Sequence, residues 1–482
     1  MNRQLRPALV LPFALLACAA CGASHNNEPV PPSQHFATRP DLRPPTVRVL
    51  TRAHDTAPGY IFIAPKKKVD QAGPLILDDE GDVVWFHPLD THGVTDFRAQ
   101  RYRGRPVLTW WRGQAKKGIG NGRYVIVDNS YRVIADVTAG HGLSGDIHEF
   151  LITPQNTAFF TVYRQVPRDL SALGGPDDGL IEEGIVQEVD IPTGRVLFEW
   201  HSADHVALSE SYNAVPKDSS SPYDYFHINA IEPDRDGTLL VSARHTHAIY
   251  KIRRSDGAVL WRLGGKRNDF RFGPGARFSW QHDVRRRPDG TLTLFDNAAK
   301  QPIRGRQSRA IVLRVDETRH TASLARSYTH PRPLLSPSQG DAQFLADGHV
   351  FVGWGSNAYF TEFDPSGRVL LDARFGSGGA DSYRAFRLPW TGLPTDRPAV
   401  AARPEPGGGT VVSVSWNGST EVARWRVLGR AGASKLRPVV EAAKDGFETS
   451  IAVPSAARYF SVQALDGDGH VLRTSEPVRR SG

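Results

Sequence analysis

The sequence predicts an all-β protein, a six-bladed β-propeller followed by a small β-sandwich. Two repeated hairpin units and the composition support this prediction. Gly and Pro are abundant, at 45 and 35 of 482 residues, as expected where many short strands are joined by tight turns. The sequence has no long amphipathic helical pattern. A single large ring of blades also explains a length that exceeds one ordinary compact core.

The N-terminus has the features of an export signal. Arg3 and Arg6 precede an apolar run from Ala8 to Ala17, the arrangement of a secretory signal peptide. The residues Leu15-Leu16-Ala17-Cys18 resemble the lipobox of bacterial lipoproteins, whose cysteine becomes lipidated; an ordinary cleaved signal peptide is the alternative. We therefore expect residues 1–18 to be a lipoprotein signal peptide. A lipid on Cys18 would anchor an exported protein to a membrane, in the periplasm or at the cell surface.

Residues 19–45 are rich in Pro, Asn, Ser and Gln and have no periodic apolar pattern, so we expect a flexible tether. The two cysteines, Cys18 and Cys21, precede the folded body, which therefore has no disulfide. The net charge is +8, but the basic residues are scattered along predicted strands rather than grouped, which argues against a nucleic-acid partner. Nothing in the sequence predicts the oligomeric state.

Within the predicted propeller, residues 46–394, the first repeated unit is a hairpin of two alternating strands around a polar turn. Glycine or a small polar residue occupies each turn, as at Gly81, Gly194, Gly257 and Gly367. Successive turns are roughly fifty to sixty residues apart, which is one four-stranded blade with its loops. The six copies are Gly73–Phe86, Tyr124–Val137, Ile185–Trp200, Ala248–Leu263, Ala310–Arg326 and Tyr359–Phe375.

The second repeated unit supplies the other two strands of each blade, and its first strand is predicted to be the innermost one. The copies are Phe97–Leu108, His148–Phe160, His227–Val241, His282–Leu294 and Asp341–Val352. Three of them begin with a histidine in the same phase of the repeat. Because the starts of inner strands converge at one mouth of a propeller channel, His148, His227 and His282 are predicted to be neighbours in space. Each histidine taken alone is more simply explained by a hydrogen bond to a loop.

Further polar residues follow the inner strands, and they indicate what the predicted cluster could bind. These are Tyr163, Arg164, Arg244, His245, His247, Asp296, Asn297, Arg304, Arg306 and Arg309. Arginine suits an oxyanion such as sulfate, and imidazole can act as nucleophile, acid or base. Group transfer of an anionic moiety is one interpretation. Binding of zinc or copper is the other interpretation. His245 and His247 are two residues apart and would share a strand face, as two ligands of such a metal could. We favour a site without metal.

Several stretches in this order resemble the arylsulfotransferase family, from about residue 50 to residue 394. They are Tyr225–Ile231, Leu240–Thr246, Ser279–Asp283, Gly353–Asn357 and Ser382–Gly392. The resemblance implies a six-bladed propeller that transfers a sulfuryl group from an aryl sulfate to a phenol through a transient sulfohistidine. It also implies that no nucleotide sulfate, and no other cofactor, takes part.

The resemblance also implies roles for individual residues. His227 and His282 match inner-strand histidines of the family site, and Arg304, Arg306 or Arg309 is the candidate for its arginine. We expect His227, His282, Arg304 and Arg309 to be catalytic. His148, Arg244, His245, Asn297 and Arg306 are expected to bind small aromatic sulfate and phenol substrates.

One departure from the family pattern leaves catalysis open. Family members carry a further channel histidine in a late blade, where this chain has Gly340 and Gln343, with His330 and His349 in the wrong phase. Either His227 or His282 is then the nucleophile, or the chain is a binding module that kept the fold and lost the reaction. Such a module would bind an aromatic or anionic ligand or a surface partner.

The C-terminal region is predicted to be separate from the propeller. Residues 395–409 are rich in Pro and Gly and are expected to be a linker. Short alternating strands follow, with Trp416 and Trp425 early and Tyr459 late. This pattern resembles a fibronectin type III sandwich over residues 410–482, which is expected to contribute contact or spacing rather than chemistry.

Overall fold

The computed structural model describes residues 32–91, 93–302, 304–405, 408–432, 434–455 and 457–481. The helical segments in this part of the chain are the short helix α1 (Ser202–His205) and two 3-10 turns, Ser171–Leu173 and Leu208–Glu210. None of these helical segments is long and apolar enough to cross a membrane. The predicted signal peptide, its lipidated Cys18 and the first part of the predicted tether lie outside the described residues.

About half of the described residues lie in strands. Those of the first half are β1 (Val47–Thr51), β2 (Tyr60–Ile63), β3 (Leu75–Leu77), β4 (Val83–Phe86), β5 (Val94–Tyr102), β6 (Arg105–Lys116), β7 (Ile119–Val127), β8 (Val133–Val137), β9 (Gly145–Ile152), β10 (Thr157–Pro167), β11 (Leu180–Asp190) and β12 (Val196–His201). They are followed by β13 (Ile228–Pro233), β14 (Leu239–Ala243), β15 (Ala248–Ile252), β16 (Val259–Gly264), β17 (Arg271–Phe272), β18 (His282–Arg286), β19 (Leu292–Asp296), β20 (Arg309–Asp316), β21 (Thr321–Tyr328), β22 (Asp341–Phe344), β23 (Val350–Gly353), β24 (Tyr359–Phe363), β25 (Val369–Phe375) and β26 (Ala385–Leu388).

These strands form six antiparallel four-stranded units. In sheet order the units are β26-β2-β3-β4, β5-β6-β7-β8, β9-β10-β11-β12, β13-β14-β15-β16, β18-β19-β20-β21 and β22-β23-β24-β25. The second and third units share one eight-stranded sheet because β7 also pairs with β9. Strand β1 adds to the last unit beside β25, and β17 lies parallel to β21.

The hairpins predicted from the sequence are confirmed. All six copies of the first repeat pair as antiparallel hairpins, from β3–β4 to β24–β25. Gly81, Gly194, Gly257 and Gly367 have positive φ in their turns, a conformation that glycine adopts without steric cost. The second repeat pairs as predicted in β5–β6, β9–β10, β13–β14, β18–β19 and β22–β23.

The first strands of the six units contact one another in a closed cycle. Strand β5 contacts β9, and the contacts continue through β13, β18 and β22 to β26, which returns to β5. The cycle is closed by the first unit. In this unit β26, from the C-terminal end of the six-unit region, pairs with β2 from its N-terminal end. We call these six strands the leading strands.

Buried apolar side chains fill the space between each pair of neighbouring units. Side chains of one strand alternate between two faces, so each sheet packs on both sides. Strand β14 shows this clearly, because Leu239 and Val241 pack against the third unit and Leu240 packs against Leu294 of the fifth. The fold therefore depends on continuous packing around the cycle.

Charged side chains of the leading strands meet in a buried cluster, which we call the central ion network. Arg384 is fully buried; its Nη1 lies 2.8 Å from Asp96 Oδ1 and 2.8 Å from Glu149 Oε1. Arg98 also pairs with Asp96 and Glu149, and Arg285 Nη2 lies 2.8 Å from Glu149 Oε2. Burial alone would raise the pKa of Glu149, but the surrounding arginines lower it. Each charge thus has an opposite partner in the protein interior, as buried charges require.

The C-terminal region consists of two packed antiparallel sheets. Its strands are β27 (Ala399–Pro404), β28 (Thr410–Ser415), β29 (Arg424–Arg430), β30 (Arg437–Ala443), β31 (Glu448–Val453), β32 (Tyr459–Leu465), β33 (Val471–Thr474) and β34 (Val478–Arg479). One sheet is β27-β28-β31, and the other contains β30, β29, β32, β33 and β34. Val412 and Ile451 of the first sheet share a core with Trp425 and Val462 of the second. The region is a β-sandwich.

Two boundary predictions need correction. Strand β27 lies inside residues 395–409, the predicted linker, and pairs with β28 along its whole length. Residues 32–45, predicted to be flexible tether, pack against the body instead. The backbone N–H of Thr38 donates to Glu448 Oε2 at 2.6 Å, and the Phe36 ring lies 4.3 Å from that of Phe447. Neither segment has the apolar periodicity that would have revealed these contacts in the sequence.

Candidate functional site

The candidate site lies where β13 begins and β14 turns into β15. His227 immediately precedes β13 and adopts a left-handed backbone with φ of 54°. The buried rings of Tyr225 and Phe226 anchor the segment before it in the apolar core. Arg244 and His245 lie in the turn between β14 and β15, and their N–H groups donate to the carbonyls of His227 and Phe226. Two chain segments are thus joined at this point.

A carboxylate fixes the tautomer of His227. Nδ1 of His227 lies 2.5 Å from Asp224 Oδ2. Because a carboxylate only accepts hydrogen bonds, Nδ1 carries the proton and donates it to Asp224. The lone pair of the ring is therefore on Nε2. That atom is buried and has no hydrogen-bond partner among the described residues.

His245 has the same tautomer, but its free nitrogen is occupied. Its Nδ1 donates to the main-chain oxygen of Asp224 at 2.5 Å, and its Nε2 accepts from Arg244 Nη2 at 3.1 Å. The Arg244 guanidinium stacks over Trp280 at 4.7 Å from the ring centroid. The same Nη2 lies 3.4 Å from His227 Nδ1, which has no lone pair to accept it. His227 is thus the one of the two rings with an unused lone pair.

The electrostatics of the site keep His227 neutral. Burial lowers the pKa of His227 well below its usual value, and the nearby Arg244 charge lowers it further. Burial alone would raise the pKa of Asp224, but His227 and His245 lower it well below the usual range. The pair at neutral pH is therefore a carboxylate beside a neutral imidazole, the protonation state of a nucleophilic histidine.

A second histidine–carboxylate pair lies beside the first. His148 of β9 hydrogen-bonds through Nδ1 to Asp146 Oδ2, which places its lone pair on Nε2. The rings of His148 and His227 are 5.0 Å apart and nearly perpendicular. The Tyr383 ring lies 5.5 Å from that of His148 and 6.3 Å from that of His282. The predicted neighbourhood therefore holds for His148 and His227, whose rings are in contact, and Tyr383 lies near both His148 and His282.

His282 is held as a structural residue. Its Nδ1 lies 2.7 Å from Asn297 Oδ1, and the N–H of Gln339 donates to its Nε2 at 3.2 Å. The Asn297 amide nitrogen donates to the carbonyls of Ser336 and Gln339, so its oxygen faces His282. Both ring nitrogens are used. In this conformation His282 has no lone pair for a substrate, and Asn297 orients His282 instead of contacting the cavity.

The three arginines predicted for the site lie elsewhere. Arg309 begins β20 and uses its guanidinium on Asp296 and on the carbonyls of Gly275 and Arg277. Arg304 and Arg306 are exposed on the preceding loop. Among the described residues, none of the three contacts His148, His227 or His282, although Lys300 of the same loop lines the cavity described below. Arg244 occupies the place expected for the site arginine.

An open cavity of about 950 Å³ adjoins these residues. Arg244, His245, Asp224, Trp280 and Tyr163 are among its lining residues, and His227 contacts three of them, Asp224, His245 and Tyr163. Lys116, Lys117 and Lys300 also line the cavity, and Glu182 and Asp224 are its acidic lining residues. The balance of charge is positive, and Trp280 provides an aromatic wall. Such a cavity suits an anionic aromatic ligand.

The donor atoms of Asp224, His227 and His245 lie within 4.8 Å of one another, close enough to hold a metal ion. The position of Arg244 argues against this use, since its guanidinium reaches both imidazoles and would repel a cation. His245 and His247, expected on one strand face, lie instead in the turn after β14. His247 stacks on Tyr212 with 4.3 Å between ring centroids. The charge arrangement favours an anion.

Two carboxylates of the site were missed in the sequence analysis. Asp146 precedes His148 by two residues and Asp224 precedes His227 by three, and these short spacings were the available signal. The expectation that the late leading strand provides no histidine agrees with the geometry. Gly340 packs against Phe295, and Gln343 hydrogen-bonds the main chain of Arg387. His330 and His349 pair with Asp372 and Glu362.

A family model described as Arylsulfotransferase (ASST) matches residues 98–376, more than half of the chain. The chain belongs to the arylsulfotransferase family. In this family member the match includes both histidine–carboxylate pairs and Arg244, whereas Tyr383 and Arg384 lie beyond it. The matched range is narrower than the resemblance expected from about residue 50 to residue 394. No curated protein has significant similarity to this arylsulfotransferase-family chain.

Three solved structures match this arylsulfotransferase-family protein at low sequence identity. A protein of unknown function from Bacteroides caccae has 11% identity, covers 68% of this chain and 98% of its own, and has a TM-score of 0.40. A virginiamycin B lyase from Staphylococcus aureus has 9% identity, coverage of 77% and 97%, and a TM-score of 0.34. A periplasmic gluconolactonase from Pseudomonas aeruginosa has 13% identity, coverage of 88% and 96%, and a TM-score of 0.26.

Proposed function

We propose that this protein transfers a sulfuryl group from an aryl sulfate to a phenol through a sulfohistidine at His227. In this proposal the six four-stranded units are the blades of a six-bladed propeller, and the site lies at one end of the ring of leading strands. The observation that carries the proposal is the Nε2 atom of His227, a buried lone pair without a partner. It lies beside an arginine and behind a cavity with a positive charge balance.

The first half of the reaction uses the lone pair of His227. Nε2 attacks the sulfur of the aryl sulfate, an N–S bond forms and the S–O bond to the aryl group breaks. The phenolate leaves with the electron pair of that bond. The imidazole, still protonated at Nδ1, gains positive charge, which the Asp224 carboxylate stabilises. Arg244 is positioned to bind oxygens of the transferred group, as its guanidinium charge suits an oxyanion.

The second half returns the imidazole to its starting state. The oxygen of an acceptor phenol attacks the sulfur, the N–S bond breaks and its electron pair returns to Nε2 of His227. We assign the acceptor proton to Nε2 of His148, whose Nδ1–H is held by Asp146. His148 then releases that proton to solvent. An imidazole whose lone pair is free on Nε2 can act as a general base.

The test compares two histidines that the geometry separates. Purified protein is incubated with a chromogenic aryl sulfate, with and without a second phenol, and the phenol release and the sulfated product are measured. His227→Ala should abolish both, and wild type quenched during turnover should carry the mass of one SO₃ group on the peptide that contains His227. His282→Gln is the matched control, because its amide can keep one of the two structural hydrogen bonds.

The outcomes are distinct. Phenol-dependent turnover that is lost in His227→Ala and partly retained in His282→Gln supports the assignment. An SO₃ adduct on a different histidine would refute it. A wild type that binds aryl sulfates but never releases phenol would instead support the alternative of a propeller that only binds an aromatic or anionic ligand.

We also propose that the protein is exported and anchored to a membrane by a lipid on Cys18, and that the C-terminal sandwich is of the fibronectin type III kind. The support for both is the sequence pattern. Replacement of Cys18 by Ala should move the protein from the membrane fraction to the soluble fraction after cell lysis. An unchanged distribution would contradict the lipid anchor.

A further inference from the structure

A hairpin tip stands over His227. Strands β6 and β7 continue beyond their neighbours, because β5 pairs with β6 only as far as Arg112 and β8 begins its pairing with β7 at Tyr124. Residues 113–122 therefore project as a two-stranded tip with Lys117 and Gly118 in its turn. We call residues 113–122 the hairpin tip.

Gly118 is the part of the hairpin tip nearest to the unpartnered atom. A Cβ added to Gly118 would lie 3.5 Å from Cε1 and 3.9 Å from Nε2 of His227. Gly118 itself is exposed to solvent on its other side, whereas His227 is fully buried. A single layer of backbone thus separates the lone pair of His227 from solvent.

The composition of the hairpin tip favours movement. Gly113, Gly118, Gly120 and Gly122 all lie within it, and glycine gives a backbone conformational freedom. Hydrogen bonds fix its base: Gly120 N–H donates to Asp146 Oδ1 at 2.6 Å, Gly113 N–H donates to the Gly93 carbonyl at 3.1 Å, and Gly122 pairs with Gly145. Lys116 and Lys117 at the turn are exposed and form no ion pair with the described residues. The exposed turn at residues 116–118 can therefore move with the loss of few contacts, whereas Gly120 at the base packs against Ile147 and Trp111.

We propose that the hairpin tip is a roof that controls access to Nε2 of His227: it opens to admit the sulfuryl donor and closes to exclude water. This inference rests on the proposed function for its catalytic consequence. A sulfurylated imidazole can lose its group to water as well as to a phenol. A roof that admits a bound phenol and excludes bulk water directs the group to the phenol, so the hairpin tip decides between transfer and hydrolysis.

The first experiment measures access without requiring catalysis. Diethyl pyrocarbonate carbethoxylates neutral imidazoles, and the lowered pKa keeps His227 neutral in mildly acidic buffer. The variant replaces residues 115–120 by Asn-Gly, which joins Gln114 to Asn121, a pair in the native register, through a two-residue turn. Labelling of the His227 peptide is followed by mass spectrometry, with the exposed His54 as internal reference.

We expect the shortened hairpin to raise the labelling rate of His227 about tenfold or more relative to His54, because local opening no longer limits access. It should also raise the ratio of free sulfate to sulfated phenol during turnover. An unchanged labelling rate would overturn the inference. If His227 is labelled faster in the shortened variant, but neither this variant nor the wild type transfers sulfuryl groups, the result would support the roof and refute the proposed function.

A second pair of variants covers the case in which the shortened hairpin does not fold. Gly118→Asn fills the space over His227, and Asn tolerates positive φ better than most residues. Gly104→Asn is the matched control, because Gly104 occupies the same place in the neighbouring β5–β6 turn, with φ of 72° and no atom within 4 Å of an added Cβ. Labelling of His227 should be slower in Gly118→Asn than in Gly104→Asn. Equal rates would count against the roof.

Discussion

Replacement of Asp224 by Asn tests the assignment of His227 as the nucleophile, because it removes only the negative charge beside that histidine. The variant keeps the main-chain oxygen that accepts from His245, and an amide oxygen can still accept from Nδ1 of His227. The geometry is thus preserved while the negative charge is lost. We expect the neutral amide to stabilise the neutral ground state of His227 nearly as well as the carboxylate does. The amide should stabilise the positively charged sulfohistidine far less than the carboxylate does.

The magnitude follows from the separation of the charges. With Asp224 Oδ2 at 2.5 Å from Nδ1, the centres of carboxylate and imidazolium are about 4 Å apart, which corresponds to about 4 kcal/mol at an effective dielectric constant of roughly 20. Because the Asn variant loses this stabilisation in the transition state, sulfuryl transfer to His227 should be slower by about a thousandfold.

The assay is the pre-steady-state burst of phenol from a chromogenic aryl sulfate, which reports formation of the sulfohistidine. The melting temperature of each variant shows whether the fold is retained. A burst rate within about threefold of wild type in a folded Asp224→Asn protein would refute the role of the carboxylate, since threefold corresponds to less than 1 kcal/mol.

Three further predictions follow from the same contacts. Arg244→Lys keeps the charge but loses the fork that reaches His245 and stacks on Trp280, so kcat/KM should fall about 10- to 100-fold, the value of one to two charged hydrogen bonds, whereas Arg319→Lys at an exposed site should leave it unchanged. Burial lowers the pKa of His247 to about 3; the unfolded chain therefore binds a proton that the folded protein excludes, and stability should fall as pH drops below about 6.5, with a shallower slope in His247→Phe. Glu448→Ala removes the acceptor of two backbone N–H groups, at Ala37 and Thr38, and should speed proteolytic cleavage within residues 32–45; equal cleavage of both proteins would show that this segment is held by other contacts.

Much of the fold could be predicted because its signals are local. The alternation of apolar and polar residues along a strand, and the glycine in the turn that follows, as at Gly194 and Gly367, can be recognised within about a dozen residues of sequence. The packed segment at residues 32–45 gave no such signal, because its partners Phe447 and Glu448 are about four hundred residues away. Strand β27 was likewise taken for a linker, since Pro and Gly on both sides conceal its pairing with β28.

The site was predicted in part for the same reason. The repeat phase identified His148 and His227 as neighbours, because equivalent positions of a repeat occupy equivalent places in the ring. It could not distinguish His282, whose two nitrogens are occupied by Asn297 and by the Gln339 backbone, groups supplied by separate loops. Nor could it choose Arg244 over Arg304, since the direction in which a loop leaves a strand is decided by tertiary packing.

The pairing of β26 with β2 has a consequence for biosynthesis. A ribosome makes β2 early and β26 more than three hundred residues later, so the first unit remains one strand short until most of the chain exists. Arg384, the partner of Asp96 and Glu149 in the central ion network, emerges at the same late stage. A nascent or truncated chain that ends before Arg384 has an open sheet edge, and Asp96 and Glu149 at its centre lack one of their arginine partners, conditions that oppose folding. We therefore expect the ring to complete its folding only after its last strand has been synthesised.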